Sequence, residues 1–317
     1  MKKHGHKLLT IAALLSTATG IIHLANKFID ATSQLKEMLD TSSPKTYEWR
    51  FGNVYYTKQG QGSPVLLVHD IIPGCSGYEW NKISSQLATE HTVYTIDLLG
   101  CGRSEKPEIT YTNFVFVQLL CDFVKKVIGE KTTIIASGFS GSFAMMAYRN
   151  DPDSFRKIFL INPPSLSSLK QMPCEDNKFY KYLIESPIFG TLIYHMITAR
   201  ESIGSLFMEN MFYNPFHVSD DIIDTYYESA HKGGASAKYL YSSYVGKYMN
   251  ISINNAVSSA DICIYIISGC KEPNCSSITA EYQKLNSSIE TATIPDTKHL
   301  PHLEAPEQFL EQLGIFL

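Results

Sequence analysis

No Lys/Arg run longer than two residues occurs, and charged residues make up only 18% of the chain, so there is no basic footprint for a nucleic acid. The seven cysteines (Cys75, Cys101, Cys121, Cys174, Cys263, Cys270 and Cys275) are odd in number and form no CxxC pair. That spacing offers neither a structural zinc site nor a dense disulfide framework. No Gly-rich phosphate loop follows a strand, so no nucleotide cofactor is expected, and no metal site is expected either. No short-period repeat is present. What remains is a chain of 317 residues, 44% hydrophobic and with a net charge of −4, enough for one large domain with an insertion.

The longest apolar stretch, Leu8–Leu24, is 17 residues without a formal charge and follows Lys2, Lys3 and Lys7. It is at the short limit for crossing a bilayer and is diluted by Thr10, Ser16, Thr17, Thr19, Gly20 and His23. Residues 1–39 are therefore read as an uncleaved membrane anchor, a cleaved signal, or a helix lying on the membrane or on the protein. The Lys asymmetry keeps the N-terminus in the cytoplasm and puts the bulk of the chain on the extracytoplasmic side, whereas the unpatterned cysteines pull the other way. Asp40–Lys45 reads as a linker.

From Tyr47 onward, short apolar runs alternate with helical patterns. Tyr47–Phe51 and Asn53–Thr57 predict a hairpin; Pro64–His69, Thr92–Asp97, Thr132–Ala136, Lys157–Ile161, Ile262–Ser268 and Ile289–Ile294 predict strands. Helical spacing occurs over Tyr78–Glu90, over Asn113–Ile128 (with Phe114, Val117, Leu120, Phe123 and Val124 on one face), over Ser142–Arg149 and over Pro306–Phe316. This alternation implies a mostly parallel sheet with helices on both faces. The Tyr- and Met-rich interval 163–259 breaks it, with helical patterns at Phe179–Ile184, Thr191–Thr198 and Asp220–Ala230, and reads as a helical insertion between core segments 46–162 and 260–317.

Four segments in order, PVLLVHD (Pro64–Asp70), DLLGCGRSEKP (Asp97–Pro107), ASGFSGS (Ala136–Ser142) and KHLPHLEAPE (Lys298–Glu307), resemble the α/β-hydrolase superfamily in its lipase/esterase-like branch with a helical cap. The resemblance implies an eight-stranded, mostly parallel sheet and the chain order nucleophile, acid, histidine. It makes His299 the general base and Glu272, in Gly269-Cys-Lys-Glu, the acid that orients it; His302 packs. The nucleophile admits three layouts. With two residues inserted before the elbow, Gly138-Phe-Ser-Gly-Ser142 puts Ser140 at the tip. Without gaps, Gly138 takes the tip and there is no nucleophile; Ser137 beside it is the third candidate. The oxyanion donors are the backbone N–H of Ile71 and of Phe139 (ungapped) or Gly141 (with Ser140).

Where the family has His-Gly, this chain has His69-Asp70, and an Asp beside an oxyanion hole opposes developing negative charge unless it points away or is protonated. Asp97 and Arg103 read as loop staples, and Cys75 and Cys101 fall at the sheet's carboxyl edge without occupying the elbow. Dehalogenases and epoxide hydrolases of this fold use an Asp at the elbow tip, and none lies between Lys131 and Arg149, so both chemistries are disfavoured. The expected function is a cofactor-independent serine hydrolase acting on a small apolar ester. A cap rich in aromatics (Phe179, Tyr180, Tyr182, Phe189, Tyr194, Phe212 and Tyr213) suits such a substrate, although the same side chains also suit a cap core. The alternative is an inactive hydrolase-fold protein that binds an apolar ligand or a partner.

Overall fold

A computed structural model of the chain describes residues 2–39 and 44–317, with side chains from residue 13 onward. The Asp40–Lys45 linker falls largely outside these residues. Eight strands form one sheet: β1 (Lys45–Trp49), β2 (Gly52–Gln59), β3 (Ser63–Val68), β4 (His91–Ile96), β5 (Thr132–Ser137), β6 (Phe155–Ile161), β7 (Cys263–Gly269) and β8 (Glu290–Ile294). Their order is β1-β2-β4-β3-β5-β6-β7-β8. The pairs β1/β2 and β2/β4 are antiparallel and all others parallel.

The central strands read as unbroken apolar runs because both faces of the sheet are covered. On β3, Leu66 and Val68 enter a core with Phe116, Phe143 and Ile158, while Val65 and Leu67 enter the opposite core with Trp80, Phe159 and Phe309. Because successive side chains point to opposite faces, β3 delivers His69 and Asp70 to the sheet's carboxyl edge as the strand ends.

Two helical expectations change. Tyr78–Glu90 is a 3₁₀ turn, Gly77–Trp80, and one short helix, Ser84–Leu87. The apolar residues Trp80, Ile83 and Leu87 are buried all the same, by the turn and the short helix together. The second change is in the helix Asn113–Phe123, which a wide turn continues to Ile128. Val117, Leu120, Phe123 and Val124 face the core as expected, but Phe114 is 69% exposed.

Between β6 and β7 the chain is helical, including Glu175–Glu185, Phe189–Ile197, Asp220–His231 and Lys238–Val245. A separate apolar cluster (Ile203, Phe207, Phe212 and Tyr226) holds this cap together and is closed from below by Leu300 and Leu303 of the histidine segment. Of the seven cap aromatics singled out in the sequence, only Tyr194 and Phe212 are buried; Phe179, Tyr180, Tyr182, Phe189 and Tyr213 are exposed. The N-terminal helix, Lys2–Thr32, rests on the cap through Asn26, which donates to the Ile188 carbonyl at 3.0 Å, and through Asp30, which pairs with His195 at 3.1 Å. Among the described residues no helix is long and apolar enough to cross a membrane.

Candidate active site

β5 ends at Ser137 and turns sharply into the helix Ser140–Asn150. The turn needs one left-handed residue, and Gly138 supplies it with φ +51°. Its N–H donates to the Ile161 carbonyl at 2.8 Å, which fixes the tip against β6. The tip is thus a glycine, the ungapped layout.

The serine expectations are corrected by this geometry. Ser140 already belongs to the helix, is fully buried, and donates its hydroxyl to the His69 carbonyl at 2.6 Å. Ser137 is fully buried within the sheet, and its hydroxyl has no hydrogen-bond partner among the described residues. The helical register after Gly138 turns the Ser140 hydroxyl into the protein, while Ser137 is buried at the end of β5. Gly141 is corrected as an oxyanion donor for the same reason: its N–H is spent on the Gly138 carbonyl at 3.1 Å.

Glu272 and His299 do come together. His299 Nδ1 lies 3.0 Å from Glu272 Oε1. Their loops approach so closely that a Cβ on Gly269 would overlap the Lys298 carbonyl. Asn162, just after β6, staples the two loops: its Nδ2 donates to the carbonyls of Lys298 and His299, each at 2.8 Å, and its Oδ1 accepts from Gly269 N–H at 3.1 Å. Sequence reasoning missed Asn162. Its local signal is weak, an Asn at a strand end where φ is +43°. The backbone N–H of His299 donates to the cap's Met211 carbonyl at 2.9 Å, and Glu304 binds Lys298, Tyr213 and Asn214 N–H groups, which ties the histidine loop to the cap.

The group facing His299 is Asp70. Its Oδ2 lies 2.8 Å from His299 Nε2, while its Oδ1 accepts the N–H of Ile71 at 2.7 Å and of Phe139 at 2.6 Å. The two expected oxyanion donors therefore converge on a resident carboxylate. A Cβ on Gly138 would overlap that carboxylate, so the two positions are complementary: no side chain fits the tip while Asp70 is seated. Burial alone would raise the pKa of Asp70, but the bonds from His299 and the two N–H groups outweigh it and hold the carboxyl below its usual range. Burial alone would lower the pKa of His299, but Asp70 and Glu272 outweigh it and push it up to about 10. Flanked by Asp70 on Nε2 and Glu272 on Nδ1, the imidazole is held toward its protonated form.

A shell of polar groups sets this loop. Glu79 accepts Asp70 N–H at 3.0 Å and pairs with His302 at 3.1 Å; both side chains are fully buried, and His302 stacks on Trp80 with ring centroids 4.2 Å apart. His302 therefore packs, as expected. Asp97 and Arg103 act as staples: Asp97 accepts Gly77 N–H at 2.7 Å and pairs with Arg103 at 2.7 Å. His69, Cys75 and Cys101 bring potential ligand atoms within 4.8 Å of one another. Both imidazole nitrogens of His69 are nevertheless committed to backbone, Nε2 accepting from Leu98 N–H at 3.0 Å and Nδ1 lying 2.6 Å from the Asp70 carbonyl, so the ring offers no free lone pair to a cation.

Above Asp70 and His299 lies a cavity of about 330 Å³, bordered also by Phe139, Asn162, Met211 and Tyr244. None of the seven cap aromatics expected at a substrate pocket lines it. Burial, with Asp70 adding to it, pushes the Tyr244 hydroxyl up to about 12, so it remains a proton donor at neutral pH.

A parallel sheet, a glycine-tipped strand-to-helix elbow, and an acid and a histidine on the last two loops beneath a helical cap define the class: an α/β hydrolase. The chain belongs to the alpha/beta hydrolase family, whose model matches residues 65–312. It is similar to the 2-hydroxy-6-oxo-6-(2'-aminophenyl)hexa-2,4-dienoic acid hydrolase of Metapseudomonas resinovorans, at 31% identity over 33% of this chain and 39% of that protein. It is also similar to the soluble epoxide hydrolase of Corynebacterium sp. (strain C12), at 28% identity over 34% of this chain and 37% of that one. The sequence matches thus span from about a third to about half of the curated relatives' length. Among solved structures, a serine hydrolase involved in carbazole degradation superposes with a TM-score of 0.71 at 18% identity, covering 86% of this chain and 98% of that one. At that identity the likeness shows the fold alone.

Proposed function

We propose that this protein is a cofactor-independent hydrolase in which the Asp70 carboxylate takes the part of the nucleophile. The carrying observation is the division of labour between its oxygens: Oδ1 is held by two backbone N–H groups while Oδ2 meets His299 at the wall of the cavity. A carboxylate placed in this way suits attack on a saturated carbon bearing a leaving group. The names of two relatives, a soluble epoxide hydrolase and a haloalkane dehalogenase, agree with that substrate class.

In the epoxide case Oδ2 bonds to a ring carbon and the carbon–oxygen bond breaks. The opened oxygen takes a proton, for which Tyr244 is the neutral donor on the cavity wall. Asp70 is now a neutral ester with its carbonyl oxygen already in the oxyanion hole. Losing one of the two carboxylate charges releases the hold on the His299 proton, which passes to the Tyr244 phenolate, so the tyrosine is restored and the imidazole becomes a base. Water then adds to the ester carbonyl, His299 takes its proton, and collapse expels the diol and restores the starting ion pair. Glu272 orients His299 throughout.

Serine-based ester hydrolysis would require Ser140 to leave the His69 carbonyl and Asp70 to leave the oxyanion hole. A second reading, an inactive protein that binds an apolar ligand, draws on the full charge pairing of His299, which leaves no free base in the resting site.

The test is turnover of a terminal epoxide such as styrene oxide in ¹⁸O-water, with mass spectrometry of the Asp70 peptide. Label in Asp70, and accumulation of an alkyl adduct in His299→Gln, are expected. Turnover without label, lost in Ser140→Ala, would establish the serine route. Tight binding of the epoxide with no chemistry would establish the ligand-binding reading.

A further inference from the structure

The N-terminal helix, Lys2–Thr32, uses one face to rest on the cap, where Asn26 and, just past the helix end, Ser33 are buried. The opposite face carries Leu14, Ile21, Leu24 and Phe28, between 62% and 69% exposed. Their spacing of seven, three and four residues makes them one stripe. Nearer the N-terminus, residues 13–18 are exposed on every side, so the helix runs beyond the body it rests on. The cap helix beneath it, Phe189–Ile197, also leaves Phe189 and Met196 exposed. Charge is as uneven as hydropathy. Residues 1–29 contain Lys2, Lys3, Lys7 and Lys27 and no Asp or Glu, in a chain whose net charge is −4.

We propose that this stripe docks on an anionic lipid bilayer, with the helix lying in the interface and its lysines at the headgroups. An exposed apolar stripe flanked by basic residues fits that surface. Thr10, Ser16, Thr17, Thr19, Gly20 and His23 suit the interface better than the hydrocarbon interior, and no described helix is long and apolar enough to span it. A second copy of the chain is the rival occupant. The stripe would then face its own like, and residues 1–29 hold no acid to complement the lysines of a partner helix.

The experiment is flotation of the full chain with vesicles of phosphatidylcholine containing phosphatidylglycerol, compared with phosphatidylcholine alone. Binding to the anionic vesicles, weakened about tenfold by high salt and abolished in Ile21→Glu/Leu24→Glu, is the expected result. These positions are exposed, so the variant keeps the wild-type melting temperature. A second variant, with Lys2, Lys3 and Lys7 changed to Gln, loses the preference for anionic vesicles. No flotation with either vesicle, equal binding to both, or a dimer in light scattering that Ile21→Glu/Leu24→Glu dissolves would each overturn the proposal.

Discussion

The turn after β5 and the loop after β3 meet at one point and have diverged in opposite ways. The β5 turn keeps the backbone of a nucleophile elbow, with Gly138 left-handed and a helix starting behind it, but carries no reactive side chain. The β3 loop keeps its oxyanion donor, Ile71 N–H, and adds a carboxylate that the family pattern lacks. The lesson is that the elbow's shape and its chemistry are separable. Strain at a turn is held by surrounding backbone bonds, here Gly138 N–H to Ile161, whereas the reactive group needs only to reach the same point in space.

The strongest way to break this complementarity is Gly138→Ser. The new side chain would sit at a positive φ and overlap the Asp70 carboxylate. A loss on the order of 3 kcal/mol in urea-induced unfolding is expected. Adding Asp70→Gly should recover much of that loss, because the two residues compete for one volume and their effects are not additive. The double variant, with a serine at the tip and an empty oxyanion hole, should gain hydrolysis of p-nitrophenyl esters. Additive losses in the pair would show that the two positions do not share the space.

A smaller perturbation separates charge from shape. Asp70→Asn keeps an acceptor for Ile71 and Phe139 but removes one of the two charges on His299. The imidazole should then titrate well below the value of about 10 that both carboxylates impose, as followed by NMR of its ring protons. The pH dependence of stability carries the same sign. His299 has a folded pKa above its unfolded one, so its contribution is complete below about pH 6.5 and is lost as pH rises toward about 10. Asp70 has a lowered folded pKa, so its contribution is present above its ordinary value and is lost as acid protonates it. Asp70→Asn should flatten both limbs in urea unfolding measured across pH; an unchanged alkaline limb would mean that Asp70 does not hold the His299 proton.

Most of the sheet was legible in the sequence because its strands are continuous apolar runs, and Glu272 and His299 were legible because each follows one of the last two strands. The position of Gly138 was left open, since a string of small residues fits two registers and only the hydrogen bond to Ile161 selects one. In the sequence Asp70 reads as an obstacle rather than as an occupant. Its role depends on Gly138 and His299, distant in sequence, and no local pattern encodes that meeting. Phe114 and the exposed cap aromatics failed for a related reason: helical spacing groups residues by face but does not reveal whether another element covers that face.

The two serines give the finest contrast, because both are fully buried on either side of the same turn and differ in their bonding. Ser140→Ala removes the bond to the His69 carbonyl and leaves a buried acceptor short of a partner, at a cost of about 1 kcal/mol. Epoxide turnover should persist, since Ser140 does not border the cavity. Ser137→Ala removes a hydroxyl that has no hydrogen-bond partner among the described residues, so stability should stay within about 0.5 kcal/mol of wild type or rise. Both values can be read from the same urea series. A Ser137→Ala loss as large as that of Ser140→Ala would mean that the Ser137 hydroxyl is bonded in solution, and the elbow would then hold a second polar group that its glycine tip conceals.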